Sequence, residues 1–314
     1  MFTKNREIIN NEECFVLSSN GFYSLRDTFE CGQCFRAEKT LERDGYLEYS
    51  TVIGDKILRV GQRKAGELIV YDTDERELSE LIIPYLSFDR DYEMIREDIS
   101  SRTSSEWLKR ASDAARGIAI LRQEPFEALI SFIISQNNNI PRIKGIVKKI
   151  SAQYGECIAI KKGLKKCPFN KISSTPCEEI CKNCGACYTF PKPEDIYKSP
   201  EKMLVSNPGF RYKYLCDAAE KVALGEIDLN KIKEKNSYAH SLEELKKIKG
   251  VGDKVASCVA LFAFENLDAF PIDVWIKRAI DLYFDGELDY VALGEYAGIA
   301  QQYIFHYIKN LENL

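Results

Sequence analysis

The stretch that most limits how this chain can fold is LKKIKGVGDKVASCVALFAFENLDAFPIDVW, residues 245–275. Apolar residues at helical spacing precede its two glycines (Leu242, Leu245, Ile248) and resume after them (Val255, Val259, Phe262). Gly250 and Gly252 therefore bracket a tight turn between two helices, a helix-hairpin-helix. Glycines there let a phosphate backbone approach closely, and free amides at the start of the second helix attract negative charge. An ordinary helical hairpin fits the same pattern.

Two residues of the stretch can carry chemistry. Lys254 falls in the first turn of the second helix, where the positive end of the helix dipole disfavours a second positive charge. That favours the neutral amine which nucleophilic catalysis at carbon requires. A lysine that only contacts a phosphate sits equally well there. Asp273, nineteen residues on in a Phe-Pro-Ile-Asp-Val turn, can stabilise positive charge at a sugar carbon beside the hairpin. It also fits the role of N-cap for the following helix, worth about 1 kcal/mol, and the two roles are compatible.

The rest of the chain predicts an α+β protein. With 314 residues and 45% hydrophobic content it can fill one large or two ordinary domains. Residues 1–100 read as an antiparallel β-rich domain, since YLEYSTVIGDKILRVGQRKAGELIVYD alternates apolar and polar positions around a Gly-Asp turn. Residues 101–314 read as a mainly helical domain. Its helical stretches are EWLKRASDAARGIAIL, PFEALISFIISQNNN, IPRIKGIVKKISAQY and RYKYLCDAAEKVA, followed by the hairpin pair, with Pro125, Pro141 and Pro271 near helix starts. A Cys-rich insertion at about 157–192 interrupts the series. The formal charge of −4 argues against a nucleic-acid partner, but its distribution is uneven. Residues 67–98 are acidic, whereas 142–166 carry a single Glu among seven lysines and one arginine, so acidic and basic surfaces can oppose each other. No run has the length of a signal peptide or a membrane span. The expectation is an intracellular protein without membrane contact, cytoplasmic, and nucleoid-associated in a prokaryote.

Several separate motifs then agree with one family. GVGDKVASC and FPIDVW, together with ECGQCFRAE at 30–38, LRQEPFEALISFIISQNNNIPRI at 121–143, NPGFRYKYL at 207–215 and YAGIAQQYIF at 296–305, resemble the 8-oxoguanine DNA glycosylase/AP lyases of the helix-hairpin-helix glycosylase superfamily. The motifs run in the expected order from residue 22 to 308. The resemblance implies a helix-hairpin-helix glycosylase core behind the β-rich domain. It implies a monomeric enzyme that extrudes 8-oxoguanine from double-stranded DNA, preferably opposite cytosine.

Residue by residue, the resemblance makes Lys254 the nucleophile at C1′, giving a Schiff base and then strand cutting by β-elimination. Asp273 supports the oxocarbenium-like transition state. The Gly32 carbonyl accepts from the N7–H that 8-oxoguanine has and guanine lacks. Gln301 reads the Watson–Crick edge, Phe305 stacks on the ring, and Cys258 lies across from it. Asn137, Arg142 and Arg211 hold the widowed cytosine, and Gly250 and Gly252 anchor the backbone. Phe210 stands where the family often has Tyr, which keeps a wedge but loses a hydroxyl. Trp275 replaces a histidine found in some members and receives no catalytic role; the chain has only His240 and His306. Without the resemblance, Phe305 and Cys258 read as core packing and the arginines as solvated surface.

The eleven cysteines read as reduced thiols or metal ligands rather than as disulfides. Cys177, Cys181, Cys184 and Cys187 form C-x3-C-x2-C-x2-C, with Cys167 ten residues earlier as a candidate fifth. The spacing suits structural zinc, and its last three cysteines also resemble part of an iron–sulfur motif. Catalysis itself calls for no cofactor. Three other readings stay open: an oxidised-pyrimidine glycosylase of the same superfamily, a non-catalytic DNA-binding module built on the hairpin, and a metal-dependent scaffold centred on the cysteines.

Overall fold

The computed structural model describes residues 2–9, 11–19, 21–165, 167–169 and 185–311. Its first part is a six-stranded sheet of β1 (Phe2–Ile9), β2 (Glu12–Ser19), β3 (Glu38–Arg43), β4 (Tyr46–Ile53), β5 (Lys56–Gln62) and β6 (Glu67–Tyr71). The strands run antiparallel in the order β1-β2-β6-β5-β4-β3. The expected meander is β4 to β6. Ile53 pairs with Lys56 across the Gly54–Asp55 turn, and Gly54 adopts φ +57°, a left-handed conformation that favours glycine. One face buries Phe15, Leu17, Leu58, Val60, Leu68 and Val70 against Leu25 and Phe29 of the short Leu25–Glu30 helix and against the 78–88 segment.

Behind the sheet lies a larger helical core. Pro125 sits in the first turn of the Pro125–Ser135 helix, whose N-cap is Glu124, and Pro141 in that of Ile140–Tyr154, capped by Asn139. The hairpin is formed by Tyr238–Leu245 and Asp253–Ala263, and the chain continues through Val274–Tyr283 to the C-terminal helix Ala297–Leu311. Pro271 stands two residues ahead of the Asp273 cap rather than inside the first turn.

One expected helix is shorter than its sequence pattern. Helix Glu106–Ala114 stops before the apolar run IAIL, which the sequence reading carries as helix. Gly117 packs so tightly on Ser24 that a Cβ would lie 2.7 Å from the serine Cβ. Beyond it the side chains alternate between cores. Ile118 and Ile120 enter the helical core, Ala119 and Leu121 the core beneath the sheet. The run is a seam between two packed units, and both of its faces are apolar for that reason.

Several members of the charge runs pair within the molecule. Lys148 pairs with Glu38 at 2.9 Å and Lys161 with Glu156 at 2.7 Å, while in the acidic stretch Glu93 pairs with Arg96 at 3.0 Å and Asp89 with Arg122 at 2.7 Å. Among the described residues no helix is long and apolar enough to cross a membrane.

Candidate active site

The hairpin turn is built as its glycines require. Gly250 has φ +79°, and a Cβ there would lie 2.4 Å from the ring of Tyr214, so the turn sits directly on the Tyr212–Ala223 helix. Gly252 differs. Its φ of −101° suits any residue and no atom lies within 4 Å of a built Cβ. Nothing in the fold demands glycine at this position, which leaves open space in front of the N-terminus of Asp253–Ala263, a helix start with no side-chain cap.

Lys254 points from that first turn into a cleft of about 770 Å³ shared by Gly32, Asn137, Gly252, Asp273 and Phe305. Its Nζ donates to Ser135 Oγ at 3.4 Å and lies 5.5 Å from the centroid of the Phe132 ring. Asp273 caps the Val274–Tyr283 helix, with Oδ1 accepting from the amides of Trp275 at 3.0 Å and Ile276 at 2.9 Å. Both bonds fall on one carboxylate oxygen. The cap fixes the carboxylate at the rim of the cleft, between the exposed side chains of Ile272 and Val274.

The opposite wall comes from far away in sequence. Gly32 adopts φ +86°, and a Cβ there would lie 3.9 Å from Phe305 Cε1, so the loop and the C-terminal helix meet at this point. The loop is held by the fully buried Gln33. Its amide nitrogen donates to the carbonyls of Thr28 and Ala119, both at 2.8 Å, and its oxygen accepts from the Leu121 amide at 2.8 Å. Gln123 donates to the Gln33 carbonyl at 2.7 Å, while its own amide donates to the Phe262 carbonyl at 2.9 Å, at the far end of the helix that carries Lys254. Cys31 packs in the helical core and Cys34 beneath the sheet. Burial pushes these thiols up to about 11 and about 12, so both stay neutral packing groups.

Not every expected residue lines the cleft. Cys258, one turn after Lys254, is buried; desolvation raises its thiol above the ordinary range, and the nearby Lys254 charge only partly offsets this. Gln301, the expected Watson–Crick reader, is buried with its oxygen accepting from Gln302 at 2.6 Å and does not line the cleft. Trp275 lines the cleft, partly packed on the helical core. Lys309 also lines it, with Nζ 5.6 Å from the centroid of the Phe305 ring.

The residues expected to face the partner strand are likewise divided. The three asparagines take three roles. Asn138 donates to the Ile134 carbonyl, Asn139 caps a helix, and Asn137 holds a left-handed φ of +48° at the cleft. Arg142 is exposed, at 3.5 Å from the Asn207 carbonyl. Arg211 is not the solvated surface residue that its sequence suggests, being 2% exposed. Its Nε donates to the Gln136 carbonyl at 2.8 Å and Nη2 to the Asn137 carbonyl at 2.9 Å, which shapes the turn presenting Asn137. Burial and then the like charge of Arg142 press this guanidinium below its ordinary range. It lies 4.4 Å from the centroid of the Phe210 ring, which is itself half exposed.

Ser135, Phe132, Gln33, Gln123 and Lys309 were not singled out by the sequence. The first four lie in or next to quoted motifs, where the signal was present but anonymous; nothing marked Lys309. Of the proposed metal ligands, Cys177, Cys181 and Cys184 lie outside the described residues. Cys167 and Cys187 are described and buried, and among the described residues no group of three or more metal-capable side chains converges.

Comparison with known proteins bears on this cleft. Residues 16–129 match the family model described as 8-oxoguanine DNA glycosylase, N-terminal domain. The chain is 26% identical over 300 residues to an N-glycosylase/DNA lyase of Arabidopsis thaliana, covering 88% of this chain and 75% of that one. A solved structure of MBOgg1 in complex with a low-affinity DNA ligand is 34% identical and covers 99% of both chains with a TM-score of 0.80. The 8-oxoguanine glycosylase/lyase of Clostridium acetobutylicum, solved with double-stranded DNA containing cytosine opposite 8-oxoguanine, is 30% identical with a TM-score of 0.79, covering 100% of this chain and 99% of that one.

Proposed function

This chain belongs to the 8-oxoguanine DNA glycosylase/lyase family, and from that premise we propose that Lys254 and Asp273 carry its chemistry, on a base held between the Gly32 loop and Phe305. The protein is a bifunctional repair enzyme that acts on duplex DNA containing 8-oxoguanine. The family separates it from the oxidised-pyrimidine enzymes and from a non-catalytic hairpin module.

The observation that carries the residue assignment is the convergence of Lys254, Asp273, Gly32 and Phe305 on one cleft, from three separate stretches of sequence. DNA docks its backbone at the open N-terminus beside Gly252, and the damaged nucleotide leaves the stack for the cleft. The Lys254 amine attacks C1′ as the bond to the base breaks. Electrons of that bond leave with 8-oxoguanine, which takes up a proton. Asp273, fixed by its cap, faces the positive charge that develops on the sugar. Loss of a proton from nitrogen and opening of the ring give the Schiff base, and removal of a C2′ proton expels the 3′ phosphate. The amine supplies this sequence of steps without a cofactor.

Selection at the base rests on the Gly32 carbonyl. 8-Oxoguanine offers it the N7–H, whereas guanine offers a lone pair and leaves a buried acceptor unpaired, at a cost of about 1–3 kcal/mol. That corresponds to roughly ten- to hundred-fold discrimination. Cytosine is the preferred partner base, because a guanidinium fork meets its O2 and N3 together. Arg142 is the exposed candidate for that contact, with Asn137 beside it.

The test is borohydride trapping on a duplex carrying 8-oxoguanine opposite cytosine. The wild-type protein forms a covalent adduct and Lys254→Gln forms none. Base excision retained by Lys254→Gln would remove Lys254 as nucleophile, and an adduct forming only on an oxidised pyrimidine would reassign the lesion.

A further inference from the structure

The cleft holds one basic side chain that the chemical steps do not use. Among the described residues that line it, Lys254 and Lys309 are the basic ones and Asp273 is the acidic one; the others are apolar, aromatic, amide, hydroxyl or glycine residues. Lys254 acts at C1′, and Asp273 faces the charge that develops there. A nucleotide entering the cleft also brings a phosphate on each side of its sugar, and phosphate charge dominates the affinity of proteins for DNA.

The C-terminal helix shows where Lys309 meets that charge. Gln301, Phe305 and Lys309 are spaced by four residues and share one face of Ala297–Leu311. Burial falls along this face: Gln301 is buried, Phe305 and Lys309 are half-buried, and the neighbouring Asn310 is exposed. The Lys309 Nζ lies 5.6 Å from the centroid of the Phe305 ring, toward the open end of the cleft. A base against Phe305 leaves its sugar and phosphates at that end. The last turn of a helix also suits a basic residue, because the carbonyl end of the dipole attracts it.

We propose, on the reading that the base lies between the Gly32 loop and Phe305, that Lys309 binds a phosphate flanking the extruded nucleotide. The contact is ionic, and it holds the sugar in register with Lys254 and Asp273. Lys309 is thus a positioning residue. Its contact differs in kind from docking at the helix start beside Gly252, which faces the DNA backbone whether or not a nucleotide has left the stack. The Lys309 contact forms only on extrusion, so it adds to the preference for damaged over intact DNA.

The experiment is equilibrium binding of the full chain to a duplex carrying a tetrahydrofuran abasic analogue opposite cytosine, over a series of salt concentrations. The analogue has no base to stack on Phe305 and no group for Lys254 to displace, so it reports backbone contacts. Lys309→Met keeps the apolar stem and removes the charge. It should weaken binding about five- to tenfold at about 0.1 M salt and lower the slope of log K against log salt by about 0.9, the value for one phosphate. Lys309→Arg should restore both, and an undamaged duplex should show neither change. A neutral methylphosphonate in place of the 5′ or the 3′ flanking phosphate identifies the partner. One of the two should cost the wild-type protein what Lys309→Met costs, and cost that variant nothing further. An unchanged slope in Lys309→Met overturns the proposal, as does an equal loss on undamaged duplex. Wild-type protein indifferent to both methylphosphonates overturns it without any variant. Wild-type protein that binds the analogue no better than undamaged duplex removes the base-pocket reading itself, and the Lys309 assignment with it.

Discussion

The two walls of the cleft are built in opposite ways. The catalytic wall is local: Gly252, Lys254 and Asp273 come from twenty-two consecutive residues, and each is set by its own turn or helix start. The recognition wall is assembled at a distance. Gly32 meets Phe305 only because the buried Gln33 and Gln123 tie the loop to residues 119–121 and to Phe262. Chemistry is thus written along the chain, whereas selectivity depends on tertiary hydrogen bonds whose loss leaves the nucleophile in place.

Separating cap from charge at Asp273 gives the largest expected effect. Asparagine is as good an N-cap as aspartate, so Asp273→Asn should keep stability within about 0.5 kcal/mol. Single-turnover excision should nonetheless fall about a hundredfold or more, because the charge facing C1′ is gone. A near wild-type rate in Asp273→Asn would mean that the carboxylate matters only as a cap.

Gln33→Ala attacks the other wall. It strips partners from two buried carbonyls and one amide, which should cost about 3 kcal/mol in urea unfolding. Among the folded molecules that remain, the preference for 8-oxoguanine over guanine should fall further than borohydride trapping at an abasic site. Equal losses in both assays would show that the two walls are not independent.

The arginines sharpen the comparison on a smaller scale. Arg211→Ala should cost about 2–3 kcal/mol of stability, since it unties the Gln136 and Asn137 carbonyls. Arg142→Ala should leave stability within about 0.5 kcal/mol while weakening selection of cytosine as the partner base. The opposite ranking in a paired urea and binding assay would exchange their roles.

The smallest effect is a pH dependence confined to the recognition loop. Folded Cys31 and Cys34 titrate at about 11 and about 12, against 9.0 for an unperturbed thiol. The folded values are raised, so this stability is fully present below pH 9 and is lost as pH rises from there through the folded values. Each thiol contributes a slope of about 1.4 kcal/mol per pH unit in that window. Cys34→Ala should flatten the decline in urea midpoints measured between pH 8 and pH 10.

What the sequence made legible follows the same division. The hairpin, the meander and the motif order were readable because each is encoded by local spacing, such as Gly250 before Asp253–Ala263 or Gly54 between paired strands. The IAIL run was not, because apolar residues on both faces look alike whether a helix is buried or a strand-like segment enters two cores. The burial of Arg211 was hidden for a related reason: an arginine satisfied by backbone carbonyls carries no partner in the sequence, and Gln33 conceals its three bonds in the same way.

That seam has a thermodynamic consequence. Ile118 and Ile120 face one core, Ala119 and Leu121 the other, and Gln33 bonds to the backbone between them. Pulling the sheet from the helices would expose apolar surface of both at once, and this seam is no linker that could absorb the separation. Calorimetry should therefore record one melting transition rather than two, and a truncation at residue 100 should release neither half as a folded piece.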